Sequence, residues 1–197
     1  MKTLISILLL YVLPFSSLGQ NIERKIDLAK KDMDFSLTIP KSFKALDSGK
    51  IFRCGDAKLS SSMIYTLINS DSSIRIGIAV THQVQEKDAE WVRAHANKKF
   101  DANSNYKKVA VLLADTTKGK LKFYPKEYSK RIFNADDAGE YVRNCMLPFE
   151  TRYTHHRVVF ATKANKGNVD LIYFYTDKDL KKIDEIVKKT SGILRFN

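Results

Sequence analysis

The chain has 197 residues, a formal net charge of +12 and two cysteines. A single domain of this size buries roughly 70% of the surface its unfolded chain exposes, so it needs neither a structural metal nor a dense disulfide framework to fold. The positive charge steers such a protein toward anionic partners, such as acidic proteins or polyanions, and it dictates no fold.

Residues 1–19 have the layout of an export signal. Lys2 supplies the positive start, Leu4 to Phe15 form a largely apolar run broken by Pro14, and Ser16 to Gly19 are mostly small. The apolar run is too short for a bilayer-spanning helix, which needs roughly 20 residues. The pattern predicts cleavage just before Gln20 and a secreted or periplasmic mature protein. No cysteine flanks that site, which excludes a lipoprotein anchor, and no later segment is long and apolar enough to span a membrane. Residues 20–197 are read as one domain.

In the mature chain, Ile22, Ile26 and Ala29 stand at helical spacing, although so short and charged a stretch also suits a mobile arm. Phe35, Leu37 and Ile39 alternate with polar residues up to Pro40, as in a half-buried strand. Asp47, Ser48 and Gly49 form a turn before a short strand over Ile51 to Cys54. Ser60 to Ser62 read as a polar loop, and Met63 to Ile68 as a strand apolar on both faces. After a turn at Asn69 to Ser73, Ile74, Ile76, Ile78 and Val80 give a strand with one apolar face.

From Asp88, a plausible N-cap, the period changes to that of a helix carrying Ala89, Val92, Ala96 and Phe100 on one face, with Trp91 bordering it. Val109 to Leu113 reads as a buried strand, and Lys120 to Tyr124 as an alternating one. Pro125 interrupts, and the strand resumes over Tyr128 to Phe133. The proline marks an edge or a bulge. Asn134 to Glu140 reads as a loop, and Tyr141 to Leu147 carries no clear pattern.

The last stretch is the most informative. Val158 to Ala161 and Leu171 to Tyr175 are apolar on both faces, so the hairpin they form belongs at the centre of a sheet, covered on both sides. Thr176 and Asp179 suit a capping box opening a last helix, with Leu180, Ile183, Ile186 and Val187 inward and Ser191-Gly192 at its end. The expected architecture is α+β: a mostly antiparallel sheet flanked by two principal helices.

Two segments carry a family resemblance. The entry DFSLTIPKSFK and the closing strand, helix DLKKIDEIVKK and SGILRF resemble the first strand and last helix of PsbP-like domains. That family is named for an extrinsic subunit of the oxygen-evolving photosystem, and its fold also serves a Ran-binding protein and bacterial envelope proteins. The resemblance implies an αβα sandwich that binds other proteins. Phe43 stands where the family usually carries Trp, and no functional residue transfers from the middle of the chain.

Chemistry-bearing motifs are sparse. The chain has no G-x-S-x-G, H-E-x-x-H or P-loop sequence, so no catalytic, cofactor-binding or metal-binding residue is assigned. Asn134, Asp136 and Gly139 fit part of a calcium loop, but Ala138 stands where a ligand is wanted, and a solvated acidic turn accounts for the same residues. His155 and His156 point to opposite faces of a strand and cannot chelate one ion together. Cys54 and Cys145 allow one disulfide, and equally suit two separate buried thiols.

The richest surface feature is a basic strip of Lys118, Lys120, Lys122, Tyr124, Lys126, Lys130 and Arg131, with Phe123 and Tyr128 interleaved. It could hold an acidic protein or polyanion by charge and stacking. Lysines on an exposed edge also block sheet-to-sheet aggregation, and this is the more ordinary use of such residues. Nucleic acid is not expected as the partner of an exported protein. The functional expectation is a non-enzymatic accessory protein engaging another envelope or secreted protein. The alternatives are an envelope hydrolase with a site assembled from distant residues, or an immunity-type inhibitor.

Overall fold

The structure, a computed structural model, describes residues 16–46, 50–54, 56–115, 121–143 and 149–197, with side chains from residue 25 onward except 54–60. Most of the expected leader and the turn at Asp47 to Gly49 lie outside these residues, as do Cys145 and the Cys54 side chain.

The architecture is α+β. Seven antiparallel strands form the main sheet: β2 (Phe43–Leu46), β5 (Tyr65–Asn69), β6 (Ile74–His82), β10 (Gly167–Tyr175), β9 (His155–Lys163), β8 (Asp137–Tyr141) and β7 (Lys122–Phe123), in that spatial order. The terminal hairpin β9–β10 occupies the middle, as its two-faced apolar sequence requires. Leu171 lies opposite Val159 on one side and Ile78 on the other.

The sheet separates two cores. One face carries Leu67, Ile76, Ile78, Val159, Ala161, Val169, Leu171 and Tyr173. It is covered by α1 (Ser16–Met33), α4 (Lys126–Phe133), α5 (Ile183–Thr190) and a ribbon of β1 (Phe35–Leu37) and β11 (Leu194–Phe196). In α1 the helical spacing is realised, with Ile26, Ala29 and Met33 buried. The opposite face carries Val158, Phe160, Ile172 and Phe174. Phe52 of the hairpin β3 (Lys50–Cys54) and β4 (Asp56–Met63) covers it, with Phe149, Tyr153 and Ala110. Phe174 is the hub here, its ring 4.1 Å from that of Phe149 and 4.7 Å from that of Phe52.

Several expectations are corrected. Five helices, not two, flank the sheet among the described residues. Ser60 to Ser62 belong to strand β4, where Ser61 faces Phe52 and Ser62 faces Ile51. The run Met63 to Ile68 is split at Ile64 between β4 and β5. Strand β6 is buried on both faces over Ile74 to Ala79, because Ile74, Ile76 and Ile78 enter the core under the helices and Met63 closes over Gly77 on the other side. The helix expected from Asp88, α2 (Glu86–His95), is shorter and starts after Gln85. Ala96 and Phe100 fall outside it, and Ala89 is its buried residue.

Val109 to Leu113 forms the end of helix α3 (Asn105–Leu113) rather than a strand. A short apolar run has no period of its own to decide between the two. Here Ala110 packs down and Val111 faces solvent. Tyr128 to Phe133 lies in helix α4, for which Pro125 is the residue before the first turn, a place where its missing N–H costs nothing. Asn134 ends that helix at φ 50°, a left-handed conformation that Asn tolerates, and its side chain donates to the Phe196 carbonyl at 3.0 Å. The expected loop over Asn134 to Glu140 therefore becomes a helix cap followed by strand β8. Thr176 caps a 3-10 turn that ends at Asp179, rather than α5 itself, which starts only at Ile183, and Leu180 is 50% exposed.

Candidate functional site

Two features stand out: a basic aromatic edge and a cavity on the sheet face beneath α3.

The edge is built from β7, β8 and α4. Strand β7 ends the sheet after two residues, pairing Lys122 with Glu140 and Phe123 with Gly139 of β8. Gly139 is required there, because a Cβ would stand 2.4 Å from the Lys122 carbonyl and 2.7 Å from the Phe160 ring. The chain then turns through Pro125 into α4, so Lys126 and Lys130 fall one helical turn apart, beside Arg131. All three are exposed, as is Lys122. Lys118 and Lys120 lie outside the described residues. The expectation of one extended strip is corrected: part of it is strand and part is helix.

Rings underlie the charges. The Lys122 ammonium lies 5.7 Å from the centre of the Tyr124 ring, and the Arg131 guanidinium the same distance from Tyr128. Tyr124 and Tyr128 meet edge to face at 5.0 Å. Burial, with Glu140 nearby, pushes the Tyr124 hydroxyl well above its ordinary value, so it stays neutral. Sequence reasoning missed Lys107, which α3 brings to 5.9 Å from the Phe123 ring. Lys107 also pairs with Asp137 at 3.3 Å, and Lys122 with Glu140 at 3.5 Å. Among the described residues no ion pair occupies Lys126, Lys130 or Arg131.

The cavity measures about 360 Å³ and lies between α3 and strands β6, β8, β9 and β10. Its floor is a hydrogen-bonded chain of side chains. Thr162 donates to Asn168 at 2.7 Å, and Asn168 donates to one oxygen of Asp170 at 2.6 Å. Arg143 donates to the other oxygen at 3.4 Å. Arg143 is 1% exposed, and its guanidinium lies 5.7 Å from the centre of the Phe52 ring. Its backbone N–H donates to His156 Nε2 at 3.1 Å. Burial drives the Asp170 carboxyl upward, opposed by Arg143 and Asn168. The wall from α3 is hydrocarbon, with Val109 43% and Leu112 74% exposed.

The other residues singled out in the sequence have structural partners. Asp136 accepts from the Ala164 amide at 2.8 Å, and Asp137 accepts from the Tyr106 hydroxyl, which holds the partial calcium pattern in strand geometry. His155 bonds Asp177 at 2.7 Å, and His95 stacks on Trp91 at 4.8 Å. Among the described residues no three His, Cys, Asp or Glu side chains converge as metal ligands, and no helix is long and apolar enough to cross a membrane. Arg143 and Asp170 were invisible from sequence, since one sat in a stretch without pattern and the other in an apolar hairpin. Neither a scan against protein-family models nor a search of the curated proteins finds a match.

Proposed function

We propose that the chain is an exported, non-enzymatic accessory protein that engages an acidic envelope or secreted protein through its basic aromatic edge. The observation that carries this reading is the set Lys126, Lys130 and Arg131, exposed and free of ion pairs among the described residues, beside Lys122 and the Tyr124–Tyr128 ring pair. Unpaired surface cations over rings attract carboxylates at long range and hold them by contact. The leader pattern of residues 1–19 supports export. The resemblance to PsbP-like domains agrees with a protein-binding role, by analogy of fold.

The reading predicts that Lys126, Lys130 and Arg131, replaced together by Glu, leave the melting temperature nearly unchanged, since such surface substitutions fall within about 0.5 kcal/mol each. Binding of poly-L-glutamate, a defined acidic probe, should fall at least tenfold. Wild-type binding should weaken with added salt, because exposed charges are screened over about 8–10 Å near physiological ionic strength. Equal binding by the wild type and the triple variant would refute a partner surface and leave edge protection by Lys122 on strand β7, in which case Lys122→Val promotes aggregation.

One observation favours the hydrolase alternative: a buried carboxyl with an upward-shifted pKa in a cavity is the usual setting of a general acid. Against it, both Asp170 oxygens are held by donors, Asn168 and Arg143, which fits a fixed recognition group better than a proton shuttle.

A further inference from the structure

The cavity beneath α3 has three properties that together define a ligand class. Its α3 wall leaves Val109 and Leu112 in water, apolar area that a ligand body would cover. Its volume, about 360 Å³, is at the small end of the roughly 300–1,000 Å³ typical of ligand pockets. Its floor is already balanced in charge. Among the described lining residues the fixed charges are Arg143 and Asp170, which pair at 3.4 Å. His82 stands at the exposed end of β6.

A ligand whose charge reached the floor would leave it uncompensated beside a matched pair whose side chains are only 2% and 13% exposed. A neutral polar head avoids this. The floor also selects the direction of the hydrogen bond. A carboxylate offers about four acceptor sites. Asn168 and Arg143 each occupy one on Asp170, so acceptors remain and a donating head is favoured. We infer that this cavity binds a small neutral amphipath, with a hydrogen-bond-donating head such as a hydroxyl on Asp170 and a hydrocarbon body against Val109, Leu112 and Phe160. The poor solvation that raises the Asp170 carboxyl makes an added donor more valuable there. None of Lys122, Lys126, Lys130 and Arg131 lines the cavity, so the site is distinct from the basic edge.

The test uses the full mature protein and the neutral fluorophore N-phenyl-1-naphthylamine, displaced at pH 7 by octan-1-ol, octanoate or octylammonium. These share a tail and differ in the head. Octan-1-ol should displace the fluorophore at a concentration at least tenfold below either charged competitor. Leu112→Lys and Val109→Lys each put a charge on the apolar wall at an exposed position, so circular dichroism and melting temperature should be unchanged while octan-1-ol affinity falls at least tenfold. A charged competitor matching octan-1-ol overturns the neutral class. Undiminished binding in both folded variants overturns the location, and no displacement by octan-1-ol overturns the inference as a whole. Poly-L-glutamate binding serves as the control that both variants should leave intact.

Discussion

Among the described residues Arg143 and Asp170 are the ion pair that the fold takes furthest from water, and a double-mutant cycle measures what their contact is worth. At 3.4 Å and an effective dielectric of about 20, the Coulomb attraction is about 5 kcal/mol, set against a desolvation cost of several kcal/mol per ion. Removing one partner alone strands the other, so Arg143→Met and Asp170→Leu should each cost about 3–5 kcal/mol. Removing both leaves neither charge stranded, and the double variant should lose far less than the sum, with a coupling of at least about 2 kcal/mol. Urea unfolding at pH 7 gives each value, provided the slope with denaturant stays constant across the set.

The pH dependence adds a second reading. Burial raises the Asp170 carboxyl and Arg143 lowers it, so Arg143→Met should raise it further. A carboxyl whose folded-state pKa exceeds its unfolded value of about 3.9 costs stability above the folded value. That cost fades as pH falls through the folded value, because the native state takes up the proton first. The deficit of Arg143→Met should therefore shrink as the buffer is taken from pH 7 down toward pH 4. Additive single losses, or a deficit that does not change with pH, would refute the account of a charge pair held together in a poorly solvated site.

Two further outcomes test the packing that positions the sites. Phe174→Ala removes the ring that meets Phe149 at 4.1 Å and Phe52 at 4.7 Å; it should cost about 3–5 kcal/mol in urea unfolding, and a loss below about 1 kcal/mol would show that the β3–β4 hairpin closes the gap. Gly139→Ala drives a methyl to within 2.4 Å of the Lys122 carbonyl, so it should destabilise by about 1–3 kcal/mol. Hydrogen exchange should then show β7 released from β8, with poly-L-glutamate binding weakened in step.

The middle of the sheet was readable because its strands are apolar on both faces. Val158 to Ala161 and Leu171 to Tyr175 leave no polar face for solvent, and both sit between paired neighbours. Val109 to Leu113 and Tyr128 to Phe133 read as strands in the sequence because runs this short fit either period, and what decides for helix is the packing of Ala110 and Phe133 onto opposite faces of the sheet. Asn134 to Glu140 looked like a loop because it is polar. From Asp137 it is a strand because Ala138 and Gly139 are small enough to sit beneath their neighbours, while Asp137 is satisfied by Tyr106 and Lys107. At the basic edge the residue types were legible and the turn at Pro125 was not. The Arg143–Asp170 floor has no linear signature, since the pairing of β8 with β9 and of β9 with β10 brings the two residues together.

The ribbon that joins β1 to β11 also sets the order in which the molecule can be completed. Ser36 and Arg195, hydrogen-bonded partners, are 159 positions apart. Phe35 faces Phe196, and the Asn197 amide donates to the Asp34 carbonyl. Strand β6 likewise waits for β10, whose synthesis comes much later. Such distant pairings make folding slow relative to proteins built on local contacts. A chain emerging from its N-terminus can form the β5–β6 hairpin early, but β6 then presents a bare, apolar edge until the last quarter of the sequence arrives. Truncation before β10 should yield not a smaller stable domain but a sticky fragment, and holding factors would have their strongest claim on the chain at that stage.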